Sequence, residues 1–250
     1  MRGEMLMTTK IWAHRGASLK APENSLPAFA LAVELGADGI ELDVQLSKDG
    51  VPVVFHDFEL ARLTGIDARL RDLSLAELKK LNLNQQQRFP ELGFVVIPTL
   101  AEVFELLLKT KLIINIEIKS GKVIYPQIEE KVLALAAEYD LNERIWYSSF
   151  NHYSLVQLRQ LQPEAHCGIL FDNVLFQPWN YAAKFGMQAI HPHHLMLAIP
   201  GYVEASHKAG ISVHAWTADQ PEDLLRAFRL GVDAIITNTP DIAIKLASQT

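Results

Sequence analysis

The sequence predicts an α/β fold, a (β/α)8 or TIM barrel with a small helical insertion after an extra β-hairpin arm. Three observations lead there. Strand-like and helix-like stretches alternate over nearly the whole chain, the pattern of a parallel sheet with helices outside it. Nine stretches read as strands, and eight of them are followed by a helix. The length, 250 residues, suits eight such units in one domain, here taken as 9–250. A doubly wound open sheet is the runner-up, but it would usually carry a Gly-rich first turn, and none is present.

In order, Ile11-Trp12-Ala13 is a short apolar run ending at His14-Arg15-Gly16. Pro27 stands where a first helical residue tolerates proline, Ala28–Leu35 is helical in composition, and Gly36 closes the helix. Asp38 leads into the second strand, in which Glu41 and Asp43 alternate with apolar Ile40, Leu42 and Val44. Lys48-Asp49-Gly50 is a tight-turn signal, and Val51–Phe55 returns from it as the one strand that follows another strand. It is therefore an added arm and not a barrel strand. Residues 57–98 are irregular, contain the run Gln85-Gln86-Gln87, and read as an insertion over one end of the core. Ser74-Leu75-Ala76-Glu77 within them is a capping-box pattern, and Thr99 with Glu102 repeats the spacing at the next helix. Leu112–Lys119 is a strong strand, with a helix from about Pro126 to Tyr139. From there a beat of roughly 22 residues repeats: strands at Ile145–Ser149, His166–Phe171, Gln188–His191, Ile211–Trp216 and Ala234–Thr237, each with its helix behind it. Gly186, Gly210 and Gly231 fall at helix ends, where a left-handed residue is wanted.

Composition narrows the function. A formal net charge of −6 argues against holding nucleic acid on a broad basic surface. No run is long and apolar enough for a membrane span, and the start has no apolar core of a secretory signal; Met5 or Met7 would serve equally as a first residue. The single cysteine, Cys167, rules out an internal disulfide and fits a reducing compartment, so the expectation is a cytoplasmic protein. A homo-oligomer is compatible with the sequence, which does not set the oligomeric state.

In such a barrel the chemistry belongs at the C-terminal ends of the strands. Glu41 and Asp43 lie two apart on the second strand, hence on one face, and Glu117 and Lys119 repeat that spacing in Asn115-Ile116-Glu117-Ile118-Lys119. An E-x-D pair usually marks a solvated face, but the apolar residues between and around these acids mark strands buried on both sides. The less favoured alternative is that Glu117 and Lys119 satisfy one another as an ion pair in the barrel. His14 and Arg15 end the first strand, and the hairpin, if it closes, returns His56 to the level of the acids. Either histidine alone would read as a satisfied core residue. Phe150 and Asn151 end the strand at Ile145, and Trp216 reads equally as core or as a wall for a substrate. His191, His193 and His194 look like a metal cluster, but Pro192 among them suggests a solvated loop or a supporting role. Glu23, Asn24 and Asp57 are supports or plain loop residues.

Three acids make an all-oxygen site, which favours Mg2+ or Ca2+ over zinc. Arg15 offers a planar fork and Lys119 a point charge for phosphate oxygens. Two histidines can serve as base and acid on opposite sides of a displacement at phosphorus. The set reads as metal-assisted cleavage of a phosphodiester. No G-x-S-x-G and no Walker loop is present, so a serine hydrolase and a nucleotide triphosphatase are disfavoured.

The motifs HRG at 14–16, PENS at 22–25, ELDVQLSKDGVPVVFHD at 41–57, PTL at 98–100, NIEIK at 115–119, SF at 149–150 and WT at 216–217 resemble the glycerophosphodiester phosphodiesterases, in order and over about Ile11 to Pro240. The resemblance implies a TIM barrel with a small helical insertion, similar to the catalytic barrel of phosphoinositide phospholipases C. It implies a divalent cation and hydrolysis of glycerophosphocholine or glycerophosphoethanolamine to glycerol 3-phosphate and an alcohol. Carried over by position, it makes Glu41, Asp43 and Glu117 metal ligands, His14 and His56 the acid/base pair, Arg15 and Lys119 phosphate-binding groups, and Phe150 and Trp216 substrate contacts. PENS stands where PENT is commoner, WTAD at 216–219 where WTVN is usual, and TNTP at 237–240 where T-D-x-P is common. These departures bear on substrate preference more than on reaction type. Two other readings keep the site: a phospholipase D-like lyase acting on lysophospholipid or sphingolipid, disfavoured by the single cysteine, and a non-catalytic phosphodiester-binding barrel, disfavoured by the intact set of acids and histidines.

Overall fold

The computed structural model of the chain describes residues 9–84, 86 and 88–249. Met5, Met7, Gln85 and Gln87 lie outside the described residues. Eight parallel strands close into a barrel: β1 (Lys10–His14), β2 (Gly39–Leu46), β4 (Ile113–Ile118), β5 (Ile145–Ser149), β6 (His166–Phe171), β7 (Ala189–Pro192), β8 (Ser212–Ala215) and β9 (Ala234–Thr237). Closure comes from β1, which pairs with β9 on one side and with β2 on the other. Helices α1 (Leu26–Leu35), α4 (Leu100–Leu107), α5 (Ile128–Glu138), α6 (His152–Leu161), α7 (Pro178–Lys184), α8 (Tyr202–Lys208), α9 (Pro221–Leu230) and α10 (Pro240–Ala247) connect the strands. Their ends follow from local chemistry. Ser25 caps α1 by accepting from the Ala28 N–H, and Thr99 and Glu102 close a full capping box on α4. Gly231 stops α9 at φ 68°, a left-handed conformation that a side chain would resist.

The strand β3 (Pro52–Val54) pairs antiparallel with β2 and lies outside the closed ring. Its ladder continues one step further, where the Phe55 N–H donates to the Asp43 carbonyl at 3.0 Å. That bond sets His56 beside the carboxylates. The described residues of 57–98 carry only short helices, α2 (Ala61–Thr64) and α3 (Leu75–Leu78), with three-residue 3-10 turns. They bury a core of their own, in which Leu60, Leu70, Leu78 and Ile97 pack on Val53 and Phe55 of the hairpin arm. The main core lies between barrel and helices. Inside the barrel, Trp12, Ala234 and Ile236 form a separate cluster with Trp146 and Trp216 packed against it.

Of the two readings of the histidine run, solvated loop or supporting role, the first does not hold for His191. His191 is not in a solvated loop: Pro192 is the last residue of β7, and His191 faces inward, fully buried, with Nε2 2.9 Å from His214 Nδ1. Burial holds the His191 ring well below the usual imidazole range, at about 3. His193 caps a 3-10 turn over 194–198, and His194 faces Asp223 at 3.5 Å.

Candidate active site

The three acids converge at the upper end of the barrel. Asp43 and Glu117 are cross-strand neighbours in register, and Glu41 sits one inward position below. One oxygen from each of Glu41, Asp43 and Glu117 lies within 4.8 Å of the others, and the three residues are only 4%, 1% and 8% exposed. Carboxylates so placed resist ionising together. Burial first, then the Asp43 and Glu117 charges, push Glu41 well above the ordinary carboxyl range. Burial likewise raises Glu117, against the pull of Lys119. Burial also acts to raise Asp43, but Lys119, His56 and Arg15 outweigh it and hold that carboxyl below its usual range.

Two cations face the three acids. Lys119 Nζ lies 2.8 Å from Glu117 and 3.6 Å from Asp43 Oδ1, so the ion pair read from the sequence is present inside the acid cluster. Arg15 is left-handed at φ 57°, which turns its backbone N–H onto Glu41 Oε2 at 3.0 Å and its guanidinium towards Asp43 at 3.5 Å and Glu23 at 2.8 Å. Nη1 is thus engaged by Glu23, while Nε is buried without a hydrogen-bond partner. Asn24 holds the other Asp43 oxygen at 2.8 Å, while Asp43 Oδ1 is buried without any hydrogen-bond partner. An unpartnered buried carboxylate oxygen among three acids and two cations fits a divalent cation, whose oxygen ligands would be Glu41, Asp43 and Glu117.

The histidines flank this cluster. His14 Nε2 lies 3.8 Å from Glu41 Oε2, and burial followed by the Arg15 charge depresses the ring to about 4. His56 is held from behind by Asp57, whose Oδ1 is 2.6 Å from Nδ1. Asp57 in turn takes Arg62 at 2.5 Å, and the same arginine reaches Glu23 at 2.7 and 2.8 Å. The buried Gln45 amide donates to the carbonyls of Phe55 and Asp57 at 2.7 and 2.8 Å and is itself fixed by Tyr125 OH at 2.8 Å. Between the histidines opens a cavity of about 270 Å3. Its wall is Phe150 against Trp216, edge to face at 5.7 Å, with the indole N–H tied to the His191 carbonyl at 2.7 Å.

The family model for the glycerophosphoryl diester phosphodiesterase family matches residues 14–242. The chain belongs to that family. A glycerophosphodiester phosphodiesterase of Caldanaerobacter subterraneus subsp. tengcongensis is 45% identical over 241 residues, covering 96% of this chain and 98% of the relative. Among solved structures, a phosphodiesterase of Oleispira antarctica in complex with the product sn-glycerol-3-phosphate superimposes with a TM-score of 0.83 at 29% identity, over 97% of this chain and 98% of that one. A family member from Silicibacter pomeroyi reaches a TM-score of 0.89 at 26% identity, over 97% and 94%. As in the rest of the family, the fold is a TIM barrel.

All nine residues singled out from the sequence of this family member, the three acids with His14, Arg15, His56, Lys119, Phe150 and Trp216, lie around this one mouth. Glu23, Asn24 and Asp57 are supports, each hydrogen-bonded to one of them. Sequence reasoning missed Gln45, Arg62, Asp219 and Asn238. Gln45 continues the period-two spacing of Glu41 and Asp43, a signal that was available. The other three reach the site only through tertiary closure.

Proposed function

We propose that the protein hydrolyses glycerophosphodiesters such as glycerophosphocholine and glycerophosphoethanolamine to glycerol 3-phosphate and the free alcohol, with a divalent cation, Mg2+ or Ca2+, held by Glu41, Asp43 and Glu117. The observation that carries this is one cavity flanked by two histidines above three buried, converging acids. Bound there, the cation would polarise a phosphoryl oxygen and favour the developing charge. Arg15 and Lys119 supply the positive charge that draws the phosphate in and orients it. His14 is neutral, with Nδ1 against the Asn238 amide oxygen at 2.8 Å, and accepts the proton of the attacking water or substrate hydroxyl. His56, oriented by Asp57, gives its proton to the departing alcohol oxygen as the P–O bond breaks. Phe150 and Trp216 form an aromatic corner for the head group, suited to an ammonium cation. The reading includes a single barrel domain with 57–98 inserted at its mouth, acting in the cytoplasm.

The test is release of glycerol 3-phosphate from both substrates by metal-stripped protein, before and after adding Mg2+ or Ca2+. Metal-restored release is expected. No cleavage with any metal would remove the hydrolase reading and turn the assay to lysolipid substrates.

A further inference from the structure

His14 is held from behind by an amide, and that amide is held by a carboxylate. Asn238 Oδ1 lies 2.8 Å from His14 Nδ1 and accepts from Ser18 Oγ at 2.9 Å. On its other side, Asn238 Nδ2 donates to Asp219 Oδ2 at 2.7 Å, and its backbone N–H donates to Asp219 Oδ1 at 2.8 Å. Thr237 Oγ1 adds a third bond to Asp219 Oδ1 at 3.0 Å, and Thr239 Oγ1 donates to the Asp219 carbonyl at 3.1 Å. An ionised carboxylate only accepts, so the edge of Asn238 facing Asp219 must be its NH2 group. The edge facing His14 is then the carbonyl oxygen, which also only accepts. His14 Nδ1 must therefore carry the hydrogen, and the lone pair of the neutral ring sits on Nε2, the nitrogen turned towards Glu41.

We infer that Asp219 and Asn238 are a positioning pair: the charge of Asp219 fixes the Asn238 amide, and the amide fixes the tautomer and direction of the His14 ring. Asn238 is the first residue after β9 and His14 the last of β1, neighbours through the strand pairing that closes the barrel. Asp219 comes from the loop between β8 and α9. Three segments thus meet to set one nitrogen. The inference rests on the proposed role of His14 as proton acceptor, which needs the lone pair on Nε2.

The experiment is a reciprocal exchange. Asp219→Asn leaves two amides facing each other, so either edge of Asn238 can meet His14; kcat should fall about 10- to 100-fold, part of the 10²–10⁴ a general base supplies, with KM within about threefold. Asn238→Asp sets two carboxylates in contact and should lose as much or more. The double variant Asp219→Asn/Asn238→Asp restores donor against acceptor and keeps an acceptor on His14, so kcat should return to within about tenfold of the parent. Losses that simply multiply in the double variant, or an Asp219→Asn kcat within twofold of the parent, would overturn the pair. Independently of turnover, 15N NMR of the histidine rings should show His14 protonated at Nδ1 in the parent and mixed in Asp219→Asn. An Nε2-protonated ring in the parent would overturn the inference even if the enzyme is active. An inactive parent with the expected tautomer would sink the proposed function and leave the pair standing.

Discussion

Gly168 stands on the inward face of β6 against the ring of His191, and one added methyl there tests how tightly the barrel interior is set. An ideal Cβ would lie 2.3 Å from His191 Nε2, 2.4 Å from its Cδ2 and 3.2 Å from the Ala189 Cβ. Non-bonded heavy atoms sit about 3.5–4.0 Å apart, so the ring would have to retreat by roughly 1 Å. It has little room to do so, with His214 4.7 Å away and Trp12 6.4 Å away, centroid to centroid. The crowded atom, Nε2, is also the one hydrogen-bonded to His214. Overpacking of this kind costs about 1–3 kcal/mol and a strained or lost buried hydrogen bond about 1 kcal/mol more. At about 2–4 °C per kcal/mol for a chain this long, Gly168→Ala should lower Tm by about 4–16 °C. It should also raise KM, because the Trp216 indole hangs on the His191 carbonyl. Thermal and urea unfolding of the parent, Gly168→Ala, His191→Ala and the double variant check this, and the double variant should lose less than the two singles together. A Gly168→Ala protein within about 1 °C of the parent would refute the steric argument.

Four further outcomes follow from the site. His14→Ala and His56→Ala should each lower kcat by about 10²–10⁴ with the fold intact, and parent-like turnover in either would remove that residue from the mechanism. Saturating Mg2+ or Ca2+ should raise Tm, since about 2.7 kcal/mol is gained at a hundredfold excess over Kd, and Glu117→Gln should abolish most of that shift; an equal shift in both proteins would place the cation elsewhere. His14, His191 and His214 stay neutral in the fold well below 6.5, at about 4, at about 3 and well below, while the unfolded chain protonates them near 6.5. Stability should therefore fall as pH drops from about 6.5 towards 4, by about 3 kcal/mol for His14 alone, partly offset by the raised carboxyls of Glu41 and Glu117, and a ring of the three titrating near 6.5 by NMR would contradict it. Arg62→Met should lower kcat about tenfold by freeing Asp57 behind His56, and an unchanged kcat would show that Asp57 needs no second anchor.

The strands were legible because each announces itself locally. The eight barrel strands and the hairpin arm lie within a residue or two of the sequence reading, since apolar runs, glycine stops and capping residues are all short-range signals. The acids were legible for the same reason: period two on strands buried on both faces leaves Glu41, Asp43 and Glu117 only one direction to point. His191 was read as the last residue of a strand, but the proline after it suggested a loop and hid its inward direction. Pro192 in fact ends a strand, where its missing N–H is tolerated, and the alternation that turned Glu41 inward turns His191 inward too. Asn238 stood out only as a departure from the family's motif, not as a support for His14. It meets His14 across 224 positions of sequence, and only closure of the barrel between its last and first strands brings them together.

The same limit explains Arg62, which joins the two halves of the site from outside the barrel. On one side it holds Asp57, and through it His56; on the other it holds Glu23, and through it Arg15. Signs alternate along this path from the exposed arginine to the buried Asp43, so each side chain neutralises the next as solvent is lost. Arg15 needs that order. Glu23 holds Arg15 Nη1 at 2.8 Å, while Asp43 Oδ1 lies 3.6 Å from Lys119 Nζ and has no hydrogen-bond partner. A short helix in the 57–98 segment, which carries no residue of the acid cluster, thus reaches Arg15 through Arg62 and Glu23. The remainder, one formal negative charge among Glu41, Asp43, Glu117, Arg15 and Lys119, is what a bound cation would meet.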